Sequence, residues 1–185
     1  MAFYTGKGDA GTTKLFTTPK GERVSKASCN IESLGVVDEL NSYIGIPKAL
    51  AREAGLPDQP KPIHEMLHAL QEDLFVVQAE LAGADKAISD MALGRIEAEI
   101  KAIEEMLPPV TSFLISGASV LSAHLDYART LARRAERRMV AGRNEQPELC
   151  REGTMAYMNR LSSILYALVR LVNHYEEAEE RAPRY

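Results

Sequence analysis

Apolar residues recur at a helical period in five separate stretches of the chain. Within each stretch they stand three or four residues apart, so they fall on one face of an α-helix. Helix-ending residues separate the stretches, namely Gly55 with Pro57, the pair Pro108-Pro109, and Gly142. The pattern therefore predicts five amphipathic helices, with apolar positions at 34–44, 63–81, 93–107, 121–139 and 158–175.

These helices predict an all-α fold, an up-and-down five-helix bundle in a single domain. The apolar faces are wide for one bundle interior, and Ala128, Ala132 and Ala135 permit close approach of a second helix. Both features suit a homo-oligomer. The bundle is expected to span residues 31–178 with a tail at 179–185, and the polar stretch Glu176–Tyr185 is expected to fray.

The first 30 residues have no helical period and are rich in glycine, threonine and lysine, which predicts a loop segment with a short hairpin. The run TGKGDAGTTK at 5–14 contains G-x-G-x-x-G. A dinucleotide-binding fold needs a strand before that pattern and a helix after it, and only five residues precede Gly6. Backbone N–H groups, lysine charge and threonine hydroxyls nevertheless suit a phosphate cradle. A flexible tail is the alternative.

Five arginines and one glutamate stand within ten residues at 129–138, in a chain whose net charge is −4. Arg129, Arg133 and Arg137 are four residues apart and form one ridge on a helix, with Arg134 beside it. Such a row of guanidinium groups suits a polyphosphate, because each group can bind two oxygens. The alternative is a solvated basic face.

A second chemical motif is the run HEMLH at 64–68, which matches the H-E-x-x-H pattern of zinc hydrolases. On a helix, His64 and His68 would be one turn apart and Glu65 would act as the base. No third ligand follows at the spacing that some of these enzymes use. A zinc metallohydrolase is therefore kept as an alternative function.

The last predicted helix carries a polar residue, Asn159, beside its apolar stripe. A half-buried amide requires hydrogen-bond partners. Taken alone, this feature favours a bond to a neighbouring helix within the core.

The composition argues against membrane, secreted and nucleic-acid-binding proteins. The chain has 185 residues, 45% of them hydrophobic, with no apolar run long enough for a membrane span and no signal-peptide stretch at 1–7. The mild acidity and the absence of Trp argue against nucleic-acid binding. Cys29 and Cys150 lie far apart, so reduced thiols and a cytoplasmic location are expected. A non-enzymatic helical interaction module stays open.

Four motifs occur in order along the chain. They are Thr-x-x-Gly-Asp-x-Gly-Thr at 5–12, Gly-x-Val-Asp-Glu-Leu-Asn at 35–41, Ala-Arg-Thr-x-x-Arg-Arg-Ala-Glu-Arg at 128–137, and Tyr-x-Asn-Arg-Leu-Ser at 157–162. Together they resemble the PduO-type ATP:cob(I)alamin adenosyltransferases, and the resemblance covers nearly the whole chain. That family's fold is a five-helix bundle assembled as a homotrimer, with the active site between subunits.

The resemblance implies a role for each matching residue. Phe113 matches the aromatic residue that covers the lower corrin face, while Asp38 and Arg129 match a pair that bridges subunits beside the corrinoid. With Arg133, these three are the expected catalytic residues. The residues expected to bind ATP are Thr5, Gly6, Lys7, Gly8, Asp9, Gly11, Thr12, Thr13, Lys14, Lys26, Arg133, Arg134, Glu136, Arg137 and Asn159.

The implied reaction transfers the 5′-deoxyadenosyl group of ATP to cob(I)alamin and yields adenosylcobalamin and triphosphate. Cob(I)alamin would form by reduction of four-coordinate cob(II)alamin bound between subunits. Mg²⁺ would be held mainly by the ATP phosphates, with Asn159 close by. A reductase and an adenosylcobalamin-dependent enzyme are the implied protein partners. The chain departs from the family pattern at three places: 116–118 reads Ser-Gly-Ala in place of Pro-Gly-Gly, Asp126 replaces His, and Ser163 replaces Asp.

Overall fold

The computed structural model describes residues 4–185, and residues 1–3, which begin the predicted head, lie outside that part. Over the described residues the chain forms five helices and a two-stranded antiparallel sheet. The helices are α1 (Cys29–Glu53), α2 (Ile63–Leu81), α3 (Asp90–Met106), α4 (Val120–Glu145) and α5 (Glu152–Tyr175), and the strands are β1 (Thr12–Thr13) and β2 (Val24–Ser25). The predicted all-α bundle and the short hairpin before it are confirmed.

The helices alternate in direction, and contacts between their termini define two ends of the bundle. At one end, Thr154 near the start of α5 donates to Glu80 near the end of α2, at 2.6 Å. At the other end, Arg170 near the end of α5 donates to the carbonyl of Pro108 after α3, at 3.3 Å. We call these the head end and the loop end, because the first carries residues 4–28 and the second carries the loop 107–119.

Helix α5 lies at the centre of the bundle and is buried over most of its length. It packs against α4 and α3, while α1 packs against α4 and α2. The third helix therefore packs mainly on α5 and not on its neighbours in sequence. None of the helices within residues 4–185 combines the length and the apolar character that crossing a membrane requires.

A partly buried polar network ties α5 to α2 and α3. The hydroxyl of Tyr157 donates to Asp73 of α2 at 2.7 Å, and Arg95 of α3 forms an ion pair with the same carboxylate. Burial, followed by the nearby Asp73 charge, raises the pKa of Tyr157 far above its ordinary value, so the hydroxyl stays protonated and donates. This network joins three helices two residues before Asn159.

One predicted helix end was wrong, because α4 continues through Gly142 to Glu145. Gly142 is buried in a close helix contact. A Cβ there would lie 2.5 Å from Cδ2 of Leu149 and 3.0 Å from Oγ of Ser33. The glycine therefore serves close approach and does not end the helix.

The prediction that the tail frays was also wrong, because it folds back onto the loop end. The N–H of Ala178 donates to the carbonyl of Asn173 at 2.9 Å, and the N–H of Ile115 donates to the carbonyl of Arg181 at 2.8 Å. Glu180 lies 2.8 Å from Nε of the buried Arg170. The tail thus forms backbone hydrogen bonds and an ion pair, which the polarity of its sequence did not predict.

Candidate functional site

The hairpin brings the glycine-rich head together with Lys26. Thr12 pairs with Ser25 across the two strands, and the N–H of Lys26 donates to the carbonyl of Gly11 at 2.9 Å. A Cβ on Gly8 would lie 3.1 Å from Nζ of Lys26, so the ammonium group lies directly beside the loop backbone. A positive charge and a glycine loop therefore share one surface, as a phosphate cradle requires.

The head has its own internal order. The N–H of Gly11 donates to the carbonyl of Gly8 at 3.1 Å, and Gly11 adopts a φ of +73°, which favours glycine. Arg23, a residue that the motifs did not single out, donates to the hydroxyl and the carbonyl of Thr12 at 2.7 and 2.8 Å. Among the predicted phosphate-binding residues of 5–14, Gly8, Thr12 and Thr13 are half-buried, and the exposed ones are Thr5, Gly6, Lys7, Asp9, Gly11 and Lys14.

A cavity of about 930 Å³ at the loop end brings Phe113, Arg129 and Arg133 together. The Phe113 side chain is 80% exposed in the single chain. Two aromatic residues that the sequence patterns missed, Tyr166 of α5 and Tyr185 of the tail, line the same cavity. The lining of the cavity therefore combines aromatic rings with two arginines, one of which pairs with Asp126 in the same lining.

The start of α4 fixes the arginine ridge relative to this cavity. The hydroxyl of Ser119 accepts from the N–H of Ser122, and the Ser122 hydroxyl accepts from the N–H of Ser119, at 3.2 and 3.0 Å. This reciprocal cap starts the helix immediately after the loop. Arg129, Arg133 and Arg137 then extend over about 12 Å from the loop end towards the head end.

The arginines of the run differ in their partners. Arg134 forms an ion pair with Glu39 of α1, and Arg138 lies 3.6 Å from Glu32. Within residues 4–185 no carboxylate pairs with Arg133 or Arg137, and both side chains are exposed. These two guanidinium groups are therefore available to an anionic ligand.

Asn159 is exposed and bonds to the arginine helix, so the interpretation of a core hydrogen bond was wrong. Its Nδ2 donates to Oε1 of Glu136 at 2.9 Å, and its Oδ1 accepts from Arg160 at 2.7 Å. Arg160 also donates to Glu97 of α3 at 3.0 Å. Residues of α5 and α4 thus form a polar surface beside the ridge.

Two groups of predicted residues are not joined by direct bonds within the described residues. Asp38 is exposed on α1 and forms no ion pair there, while Arg129 pairs with Asp126. No hydrogen bond or ion pair in that part of the chain joins 5–14 or Lys26 to α4.

The histidine motif is on α2, away from these features. His64 is half-buried and Glu65 is exposed, while Nε2 of His68 lies 3.6 Å from Glu72 at the surface. Across 4–185 no three residues among histidine, cysteine, aspartate and glutamate are grouped as a metal site would need.

Comparison with known proteins finds a matching family and related sequences of that same family. Residues 3–172 match the cobalamin adenosyltransferase family. The chain is 38% identical to a corrinoid adenosyltransferase of Citrobacter freundii, over 91% of this chain and 93% of the relative. It is 40% identical to the corrinoid adenosyltransferase PduO of the same organism, over 94% of this chain but 50% of the relative, so it spans about half the length of that protein.

A solved structure shares the fold over the full length of both chains. It is a variant of the PduO-type ATP:corrinoid adenosyltransferase of Lactobacillus reuteri, complexed with cobalamin and ATP, with a TM-score of 0.87 and 27% identity. The similarity thus includes the whole bundle and the segment before it. By sequence match and by fold, this chain belongs to the cobalamin adenosyltransferase family.

Proposed function

We propose that the protein transfers the 5′-deoxyadenosyl group of ATP to cob(I)alamin. The observation that carries the proposal is the loop-end cavity, whose lining includes the exposed Phe113 together with Arg129 and Arg133 of the ridge. This arrangement offers an apolar surface for a corrin and a cationic surface for a triphosphate at adjoining positions. Family membership supports the same assignment.

The reaction is a nucleophilic displacement at carbon. The electron pair on Co(I) attacks C5′ of ATP, a Co–C bond forms, and the C5′–O bond breaks with its electron pair leaving on the triphosphate. The cobalt becomes formally Co(III). No proton moves, so no general base is needed.

Charge develops on the leaving triphosphate, and the ridge is suited to stabilise it. Arg133 and Arg137 have no carboxylate partner in the described residues and sit one helical turn apart. Fixed guanidinium groups bind phosphate oxygens more tightly as their charge grows, which lowers the barrier. Lys26 and the glycine loop would bind the phosphates from the head of a neighbouring chain.

Phe113 would act on the corrin rather than on ATP. Reduction of Co(II) to Co(I) becomes easier when the lower axial ligand is removed, because that ligand stabilises the higher oxidation state. An apolar ring under the cobalt excludes both water and the ligand base. We assign this role to Phe113, with Tyr166 and Tyr185 as further walls of the cavity.

We place the proposed sites between the subunits of a homotrimer, as the family resemblance implies. Asp38 is exposed and has no ion-pair partner in the described residues, which leaves its carboxylate available to a second chain. The proposal also includes Mg²⁺ bound to the ATP phosphates. Mg²⁺ in phosphate sites commonly takes one or two carboxylate ligands and keeps several waters. Glu136, hydrogen-bonded to Asn159 at 2.9 Å, is the carboxylate on the ridge that fits this need.

The proposed partners are a reductase that delivers the electron to bound cob(II)alamin and an enzyme that consumes adenosylcobalamin. A cytoplasmic location is proposed as well, because Cys29 and Cys150 are both free thiols.

Incubation with MgATP and chemically reduced cobalamin tests the proposal. The absorbance spectrum of adenosylcobalamin should appear in proportion to enzyme and time. A protein that binds stoichiometric zinc and leaves cob(I)alamin unchanged would instead favour a hydrolase that uses His64, Glu65 and His68. Binding of neither ATP nor cobalamin would favour an interaction module.

A further inference from the structure

A buried arginine at the loop end connects the Phe113 loop to the tail. The side chain of Arg170 on α5 is only 8% exposed. Its Nη2 donates to the carbonyl of Pro108 at 3.3 Å, and its Nε lies 2.8 Å from Oε1 of Glu180. Arg170 therefore hydrogen-bonds to the first part of the loop and forms an ion pair with the tail.

The tail supplies a second anchor on the other side of Phe113. After α5 the chain reverses at Glu177, which has a φ of +50°. Asn173 then donates to Glu180 at 3.1 Å, and the N–H of Ile115 donates to the carbonyl of Arg181 at 2.8 Å. The loop is thus held before Phe113 through Arg170 and after Phe113 through the tail.

Phe113 itself has no comparable support, because its side chain is mostly exposed and its backbone belongs to no helix or strand. The position of the Phe113 ring in the cavity therefore depends on the two contacts that hold the loop, one at Pro108 and one at Ile115. Both anchors depend on Glu180, which neutralises Arg170 and keeps the tail against the loop. A buried arginine without its counter-charge would pull away towards water and release Pro108.

We propose that Arg170 and Glu180 are a positioning pair that sets the Phe113 ring against the corrin. The inference rests on the proposed function and adds two residues to it. Glu180 lies beyond residue 172, where the family match ends, and neither residue touches the cavity that Phe113 lines. Arg170 and Glu180 would affect the reaction only by positioning the loop that carries Phe113.

The test compares Glu180→Gln with Glu179→Gln. Glu179 is adjacent in sequence and pairs with Arg181 at the surface, so its variant removes the same charge from the tail without touching Arg170. Each protein is assayed with cob(II)alamin plus a chemical reductant and, separately, with preformed cob(I)alamin. Electron paramagnetic resonance of bound cob(II)alamin with MgATP reports the fraction that lacks an axial ligand.

Glu180→Gln should lower kcat/KM with cob(II)alamin about 10- to 100-fold, the size of loss that misplacement of a supporting group by about 1 Å causes. The axial-ligand-free fraction should fall with it, while ATP affinity and turnover of preformed cob(I)alamin stay near wild type. Glu179→Gln should match wild type in every assay.

A Glu180→Gln protein that melts earlier yet keeps the wild-type resonance signal and kcat/KM would overturn the proposal, since the pair would then only stabilise the fold. An equal loss with both cobalt states would overturn it too. If Glu180→Gln does not fold, Arg170→Lys tests the other contact of the pair, because it keeps the charge beside Glu180 and loses the donor to Pro108. Failure of the wild-type protein to adenosylate cob(I)alamin would instead refute the proposed function.

Discussion

Arg129 forms an ion pair with Asp126 of its own helix, with Nε of the arginine 2.7 Å from Oδ1 of the aspartate. The two side chains are 28% and 17% exposed, and both line the loop-end cavity. Asp38, the partner that the family resemblance implies for Arg129, is exposed on α1. The guanidinium group is therefore already oriented in the single chain, and a second chain would add Asp38 to an existing pair.

Asp38→Ala should weaken corrinoid turnover more than ATP binding, because the lost carboxylate belongs to the corrinoid side of a shared site. The trimer should also dissociate more easily. Light scattering gives the oligomeric state, and steady-state assays with each substrate varied give the two effects separately.

Mixing Asp38→Ala chains with Arg129→Ala chains tests the shared site more sharply. In a mixed trimer, some interfaces combine both substitutions and others contain neither, so activity should partly return although each parent is impaired. A monomeric protein, or no recovery after subunit exchange has been verified, would contradict a site between subunits.

Arg133→Ala should lower kcat/KM by roughly 30- to 1,000-fold. Each charge-assisted contact to a phosphate in the transition state contributes about 2–4 kcal/mol. Arg138→Ala is the matched control, because Arg138 is on the same helix but lies beside Glu32 and off the ridge. Circular dichroism should show both variants folded. Equal activity in the two variants would refute the assignment of Arg133 to ATP.

His64→Ala and His68→Ala should leave adenosyl transfer within about twofold of wild type, as surface substitutions away from a site usually do. His68 is paired only with Glu72 at the surface, and no metal-binding group of three residues is found in 4–185. Turnover of each variant should be measured with and without added zinc. A large loss that zinc restores would revive the hydrolase alternative.

Alkaline pH should destabilise the protein in part through Cys150. Burial, followed by the nearby Glu80 charge, raises the pKa of this thiol from 9.0 to about 11. The unfolded chain therefore loses this proton first, so the stability that the group contributes is intact below pH 9 and is lost between pH 9 and about 11.

One proton corresponds to a slope of up to about 1.4 kcal/mol per pH unit in the free energy of unfolding. Urea unfolding across this pH range should show a shallower decline for Cys150→Ala than for wild type. Parallel curves would show that the buried thiol does not control alkaline stability.

The helices were predictable because each buries one apolar face, and that requirement leaves a periodic mark on the sequence. The stripe that includes Leu161, Leu165 and Leu168 becomes the buried side of α5. Gly142 misled the prediction of a helix end, because a glycine that ends a helix and one that permits close packing look alike in sequence. The sequence did not predict which helices pack together. The apolar face of α3 could have packed against α2 or α4, but it packs mainly on α5.

The sequence predicted only those site residues whose arrangement follows from their spacing along one helix. Arginines at four-residue spacing must share a helix face, so the ridge follows from the sequence. The contacts of Asn159 with Glu136 and of Arg170 with Glu180 join parts of the chain that no local rule connects. Tyr185 lines the cavity at the end of a tail that folds back onto the loop, a path that no local pattern in the sequence predicts.

The proposed activity stands on the transfer of the 5′ carbon of ATP to the cobalt of cob(I)alamin. Incubation with cob(I)alamin, Mg²⁺ and ATP carrying carbon-13 at C5′ follows that carbon through the reaction. We expect a carbon-13 resonance from a cobalt-bound methylene group and one inorganic triphosphate for each adenosylcobalamin formed. Label that stays in ATP or appears in free adenosine, with no cobalt-bound carbon, would contradict it.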